Sequence, residues 1–361
     1  MMQNDRPVAD QERRGRGASS RDNGRFERFR RVDEADNWDI PEEVNMLRTE
    51  VSEEHPRSLI NYVNSPDLSF DRTINPYRGC EHGCTYCFAR PSHAWLGLSP
   101  GLDFETKLVA RPDAPGVLAR ELRSKRYRVA PIAVGTNTDP YQPIERDHGI
   151  MRACLEVLRD FRHPVAIATK GTLIERDIDI LSDMAAQNLV RVGITITTLD
   201  ADLSRRMEPR VPMPLRRLAT IRKLTEAGVP VRVMVSPVVP GLTDPEIEAI
   251  LEAARDAGAA AATWAMLRLP HEVAPLWEAW LDEHYPNRKL RIMSKLREMH
   301  GGKPYDAQWF KRLRGEGAYA QLIAQRFTKC RKRLGLDQAL PDLDCTAFAP
   351  PLQVGDQMSL F

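Results

Sequence analysis

The 361-residue chain has no uninterrupted apolar stretch approaching the ~18–20 residues of a membrane span, so no membrane partner is expected. Its first residues, MMQNDRPVADQERRGRGASS, contain no apolar core of the kind a secretory signal needs, which makes a cytoplasmic location the expectation. Cysteine is scarce, at six residues, too few for a disulfide scaffold. Excess charge of either sign is also missing, since the formal net charge is only +2. What remains, 42% hydrophobic and 28% charged, is the composition of a globular chain long enough for one large domain or two smaller ones.

The near-neutral total conceals a separation. Residues 286–335 hold fourteen Lys and Arg against three acids, a local charge of +11 that leaves −9 for everything else. The first forty residues carry nine Arg and nine Asp or Glu with no periodicity, and too little apolar surface to offset the entropy of ordering. They read as the start of a disordered arm and lead-in over residues 1–57.

From about Ser58, short apolar runs alternate with amphipathic stretches. Strands are expected at Thr73–Tyr77, Val129–Gly135, Pro164–Thr169, Val190–Thr197, Val229–Ser236 and Ala260–Leu267. Helices are expected at Gly116–Tyr127, His148–Phe161, Ile174–Gln187, Leu215–Ala227, Pro245–Ala257 and Glu272–Tyr285. Gly228 and Gly258 are placed to end helices, and Thr243 to cap one. Six strand–helix units argue a parallel α/β fold over residues 58–285. The pattern alone leaves a doubly wound sheet and an incomplete barrel both open.

Three of the six cysteines, Cys80, Cys84 and Cys87, form a C-x3-C-x2-C array in NPYRGCEHGCTYCFAR. In a reducing compartment such spacing favours a metal centre over disulfides. Zinc would need a fourth ligand, for which His82 would have to fold back. A four-iron cluster held by three thiolates would keep one iron open.

With Tyr86 as its aromatic, C-x3-C-x-aromatic-C resembles the motif of radical S-adenosylmethionine enzymes. The resemblance extends over about Asp71 to Leu269. It is closest to the branch containing spore photoproduct lyase and relatives described as DNA repair photolyases, through TNTDPYQPIE (Thr136–Glu145), ATKG (Ala168–Gly171), TITTLDADLSRRMEPR (Thr195–Arg210) and SPVVPGLTD (Ser236–Asp244). It implies a partial (β/α)6 TIM-like barrel with a basic, mainly helical C-terminal cap. It also implies a [4Fe-4S] cluster, S-adenosyl-L-methionine (SAM) cleaved by one electron to methionine and a 5′-deoxyadenosyl radical, and an electron donor such as a flavodoxin or ferredoxin.

On that resemblance the cofactor would meet Tyr86, Thr138, Asp139, Lys170 and Thr195, the last four lying at or near strand ends. Lys170 would pair with the cofactor carboxylate. Glu208 and Arg210 would either stabilise a loop or reach the cofactor. Val239 and Gly241 lie in an adenine-packing pattern in which Pro237 replaces a glycine and Asp244 a glutamate, and Ala265 and Met266 would complete that side. One departure concerns the reaction: where the lyase has a hydrogen-donating cysteine after the second strand, this chain has Thr136, and no cysteine lies between Cys87 and Cys154. A threonine O–H is too strong to serve, which argues against the lyase reaction itself and leaves the catalytic residues unassigned.

The basic segment interleaves Tyr305, Trp309, Phe310, Tyr319 and Phe327 with its cations, as a nucleic-acid surface does, although a cap with its rings turned inward would use the same residues. We take it as a cap module over residues 286–345. The last stretch, residues 346–361, ends in Gln357-Met358-Ser359-Leu360-Phe361, which resembles the peptide that bacterial repair proteins insert into the sliding clamp. The combined expectation is a radical SAM enzyme acting on DNA. The alternatives are modification of RNA or protein, or an iron–sulfur protein that binds DNA without turnover.

Overall fold

The computed structural model describes residues 13–27 and 47–352. Six parallel strands form the main sheet: β1 (Arg72–Ile74), β2 (Ile132–Val134), β3 (Val165–Thr169), β4 (Val190–Thr195), β5 (Val231–Val238) and β6 (Ala261–Met266). They neighbour one another strictly in sequence order, all in parallel register. A doubly wound sheet would reverse direction at a switch point. None occurs here, and the architecture is an incomplete barrel. A two-residue strand, Asn61–Tyr62, pairs antiparallel with β1 and ends the sheet on that side.

The connecting helices are α1 (Ala114–Leu122), α2 (Ile150–Asp160), α3 (Ile178–Ala186), α4 (Ala201–Met207), α5 (Pro214–Glu226), α6 (Ile247–Asp256) and α7 (Val273–His284). Six of them coincide with the helical patterns in the sequence, to within a few residues at each end. Gly228 and Gly258 take the left-handed conformation after α5 and α6, where a side chain would be strained. Thr243 departs from its expected capping role. A short 3-10 turn, Asp244–Glu246, precedes α6, and the Thr243 hydroxyl accepts instead from the Val239 N–H at 2.9 Å.

The far edge of the sheet is covered by the C-terminal module, α8 (Pro286–Met299) and α9 (Gly317–Arg333). The N–H of Ala262 donates to Leu336 O at 3.1 Å and that of Met266 to Leu313 O at 2.9 Å, so the edge strand is not left open to pairing. Ile292, Met293, Leu296, Ile323 and Phe327 are buried beneath these helices. Some cations of the module meet acids outside it: Arg326 lies 2.6 Å from Glu248, Arg333 2.6 Å from Glu252, and Arg312, between the helices, 2.7 Å from Asp67. Among the described residues no helix is long and apolar enough to cross a membrane.

The N-terminal region differs from the sequence expectation. Residues 13–27 lie against the barrel instead of forming a free arm, because main-chain groups hold them. The N–H groups of Gly17 and Ala18 donate to the Glu105 carboxylate at 2.8 and 2.9 Å, and Leu102 N–H donates to Ser20 O at 3.0 Å. Glu50–Glu53 then pairs in parallel with Lys107–Ala110 in a small second sheet completed by Tyr77–Arg78.

Candidate functional site

Cys80, Cys84 and Cys87 follow β1 on a loop whose two glycines are required by space. Gly79 and Gly83 have positive φ, and a Cβ on Gly83 would stand 2.7 Å from the Glu105 carboxylate. Cys80 and Cys84 are buried and Cys87 is half-buried, and none is in a disulfide. The loop is fixed from beneath by Arg90, which is fully buried. Its guanidinium donates to Cys84 O at 2.9 Å, to Gly101 O at 2.9 Å and to Glu105. Arg90 and Glu105 thus join the cysteine loop to the N-terminal segment. Sequence reasoning assigned neither of them a role; a charged pair fifteen residues apart carries no local signature.

The segment Thr136–Glu145 turns out to grip the same loop. Thr138 donates to Tyr77 O at 3.0 Å. Gln142, buried, donates to Gly79 O at 3.1 Å and accepts from Glu81 N–H at 2.9 Å, bracketing Cys80. Glu145 accepts from the Tyr77 hydroxyl. Asp139 accepts from the Thr169 hydroxyl at 2.6 Å and from Lys170 N–H at 2.7 Å, and faces His82 at 3.4 Å. Burial pushes its carboxyl up, but His82 and these donors prevail and hold it at about 2. Thr138 and Asp139 are therefore engaged in positioning the cysteine loop and the end of β3. His82 is committed to Asp139.

Lys170 projects at the end of β3 with its ammonium 5.8 Å from the centre of the Tyr86 ring, and its charge is felt by both Cys84 and Glu208. No acid forms an ion pair with it among the described residues. Tyr86 is buried and donates to Glu208, which also accepts from Thr197 at 2.8 Å and pairs with Arg217 at 2.7 Å. Burial raises the Glu208 carboxyl, and the charges of Arg217 and Lys170 outweigh it, leaving the group below its ordinary range. Arg217 additionally donates to the carbonyl of Thr195 at 2.8 Å. Glu208 is thus in an interior ion pair, whereas Arg210 is half-exposed and lies 2.8 Å from Glu81 of the cysteine loop.

Gly241 has positive φ and donates its N–H to Asp244, whose other oxygen accepts from Tyr319 of α9 at 2.8 Å. The Val239 carbonyl receives Leu242 N–H at 3.1 Å and Thr243 N–H at 3.0 Å, closing the turn. Ala265 sits where the β5–β6 register slips between Trp264 and Met266, and the Met266 N–H is already used by Leu313. Tyr86 and Lys170 therefore lie near Cys84, and Thr195 is joined to Tyr86 through Arg217 and Glu208. Val239 and Gly241 lie in the turn after β5, and Ala265 and Met266 on β6.

Among the described residues no three His, Cys, Asp or Glu side chains converge on a point where one ion would sit. A polynuclear cluster asks for something else, sulfurs placed around a volume with each ligating its own iron. The three cysteines offer that donor set. Burial pushes the Cys80 and Cys84 thiols far up, so their ionised form calls for a positive centre between them. The residues present fit a three-cysteine iron–sulfur cluster.

Fold and loop together define a partial barrel with a cysteine-ligand loop after its first strand. Residues 74–254 match the Radical SAM superfamily, and the chain belongs to it. The family implies a [4Fe-4S] cluster and SAM, and marks the chain as an enzyme. An uncharacterised protein of Mycobacterium tuberculosis is 38% identical over 252 residues, 69% of this chain and 73% of its own. One of Methanocaldococcus jannaschii is 28% identical over 188 residues, 52% of this chain and 67% of its own. Among solved structures, spore photoproduct lyase complexed with dinucleoside spore photoproduct aligns with TM-score 0.58 at 13% identity, covering 79% of each chain. A variant of the same lyase aligns with TM-score 0.58 at 15% identity, covering 79% of this chain and 80% of that one.

Proposed function

We propose that the chain binds a [4Fe-4S] cluster through Cys80, Cys84 and Cys87, cleaves SAM reductively, and acts on a nucleic acid, most simply a lesion or modified base in DNA. When bound, that pair of cofactors supplies a one-electron cleavage to methionine and a 5′-deoxyadenosyl radical. Lys170 offers a cation to the cofactor carboxylate, and the observation that carries the reading is its position: without an acid partner among the described residues, facing Tyr86 and Cys84. Thr195 is oriented through its carbonyl by Arg217. The Gly241 turn, held by Asp244, offers a rigid surface for an adenine ring to pack on. Packing of Tyr86 against Trp277, with ring centres 6.5 Å apart, helps exclude water, which a radical step requires.

The nucleic-acid part rests on the C-terminal module. Trp309 and Phe310 are exposed on it, beside Lys311, which supports stacking of bases on these rings. Phe327 is buried and Tyr319 is bonded to Asp244, so those two serve the fold. The solved lyase complex holds a dinucleoside, a likeness in fold that is compatible with such a substrate. Recruitment to the sliding clamp through Gln357, Leu360 and Phe361 falls outside the described residues and rests on sequence alone. The electron donor is likewise proposed from family chemistry, as a flavodoxin or ferredoxin.

Anaerobic reduction of the reconstituted protein with SAM tests the reading. Formation of 5′-deoxyadenosine is expected, with loss in Cys84→Ala; none under any reductant would sink it. Adding ultraviolet-damaged DNA should increase cofactor turnover and change the nucleoside profile, and indifference to DNA and to charge reversal at Arg331–Arg333 would redirect the reading to RNA or protein.

A further inference from the structure

At the covered edge of the barrel four arginines come together without an acidic partner among the described residues. Arg191 of β4 stands opposite Ala166, and Arg232 of β5 stands opposite Gly193, two residues beyond Arg191. Alternation therefore sets Arg191 and Arg232 on the same face of the sheet. From α9, Arg331 meets the edge strand, its Nη1 3.5 Å from Ala262 O. The Nε atoms of Arg232 and Arg331 are buried without a hydrogen-bond partner. Arg314 lies with its guanidinium carbon 4.4 Å above the Trp264 ring.

Beside them is a cavity of about 530 Å³, lined by Thr263, Trp264, Arg314, Glu316, Phe327 and Arg331 among others. The acid on this wall, Glu316, lies 3.1 Å from Lys311. Burial and the charge of Arg331 push the Arg314 guanidinium down, and burial with Arg191 and Arg331 does the same to Arg232. Elsewhere on the module Arg326, Arg333 and Arg312 each have a carboxylate. Like charges held together under partial burial repel one another, and an entering anion removes that cost.

We propose that this cavity binds a phosphoryl group, with the guanidinium forks of Arg314 and Arg331 as donors and Trp264 as the floor that fixes Arg314. Arginine suits the task, since its planar donors match phosphate oxygens in pairs. A phosphodiester of a nucleic-acid strand and a free phosphate compound share this chemistry. The site stands on its own residues and holds whether or not the radical chemistry proposed above is correct.

The test is calorimetry and thermal melting of the full reconstituted chain, at constant ionic strength, with pyrophosphate and with a thymidine tetranucleotide lacking terminal phosphates. Neither readout depends on SAM cleavage, so failure here is separable from failure of the proposed function. At least one probe should bind and raise the melting temperature, and Arg314→Gln with Arg331→Gln should weaken it by about tenfold or more. The same double substitution should raise the melting temperature measured without phosphate, because repulsion is relieved; a merely structural role for these arginines would lower it. Glu316→Gln, which leaves every cation in place, should tighten binding by about threefold. Binding of pyrophosphate alone assigns a free phosphate compound, and binding of the tetranucleotide a strand. Binding of neither, or equal binding by the double variant, overturns the proposal.

Discussion

Glu208 and Arg217 meet at 2.7 Å with both side chains wholly out of water, and between them they fix three separate elements. The carboxylate takes the hydroxyls of Tyr86 and Thr197, while the guanidinium holds the Thr195 carbonyl and Ser204. One ion pair thus aligns the aromatic of the cysteine motif with the end of β4. Removing a single partner leaves an uncompensated interior charge. Glu208→Gln should lower unfolding free energy by about 3–5 kcal/mol in urea melts, and Glu208→Leu with Arg217→Met should recover part of it. A loss below about 1 kcal/mol would contradict this arrangement.

Lys170 gives a contrasting expectation, because among the described residues no ion pair or hydrogen bond uses its ammonium, which stands over the Tyr86 ring and acts on Glu208 only at a distance. Lys170→Met should leave the melting temperature nearly unchanged, as substitutions away from core features do. It should weaken SAM binding to the reconstituted protein by about tenfold, or about 1.4 kcal/mol. Equilibrium dialysis checks both Lys170→Met and Lys170→Arg. Unaltered affinity in the methionine variant would remove Lys170 from the cofactor site.

Much of this was legible in sequence wherever a short local pattern carries the physics. Val-, Ile- and Ala-rich runs became β2 to β6, glycines after α5 and α6 ended them, and the cysteine spacing marked the loop. Other features depend on partners distant in the chain. Glu105 anchors Gly17 and Ala18 through their backbone N–H groups, contacts that any residue type could supply. Gln142 brackets Cys80 from about sixty residues away, and nothing local in Thr136–Glu145 distinguishes a residue that supports the loop from one that meets a cofactor. The +11 segment misled in another way, because composition counts Arg326 and Arg333 but not the Glu248 and Glu252 that neutralise them.

Gly17 offers a direct test of the N-terminal segment's contact with the cysteine loop. Its φ is unexceptional, but an added Cβ would fall 1.9 Å from the carbonyl oxygen of Gly83, so the two backbones must part. Gly17→Val should detach the segment at a cost of about 1–3 kcal/mol. Faster proteolytic cleavage near Arg16 and quicker loss of iron in air are the expected readouts. Gly116→Ala, in α1 with nothing within 4 Å of its new methyl, is the matched control and should be neutral or slightly stabilising. Equal cleavage rates in the two variants would mean that the segment is not held at Gly17.

Acid should loosen the loop that leaves Lys170 through Glu175. This carboxylate accepts from Thr220 at 2.6 Å, from Lys223 at 2.7 Å and from Arg216, tying the approach to α3 onto α5. Burial pushes its carboxyl up, but Arg216, Lys223 and Thr220 more than reverse this and hold it at about 2, against an ordinary 4.5. A carboxyl depressed by folding contributes stability that is fully present above its unfolded value. That contribution is lost as pH falls from about 4.5 toward 2. Arg216 and Lys223 are partly exposed and therefore screened, which reduces the contribution to the order of 2 kcal/mol. Glu175→Gln should remove that amount at neutral pH and flatten the decline of stability with acid across this window. Urea melts at intervals between neutral pH and the acid limb measure it, and parallel curves for the variant and the parent would refute it.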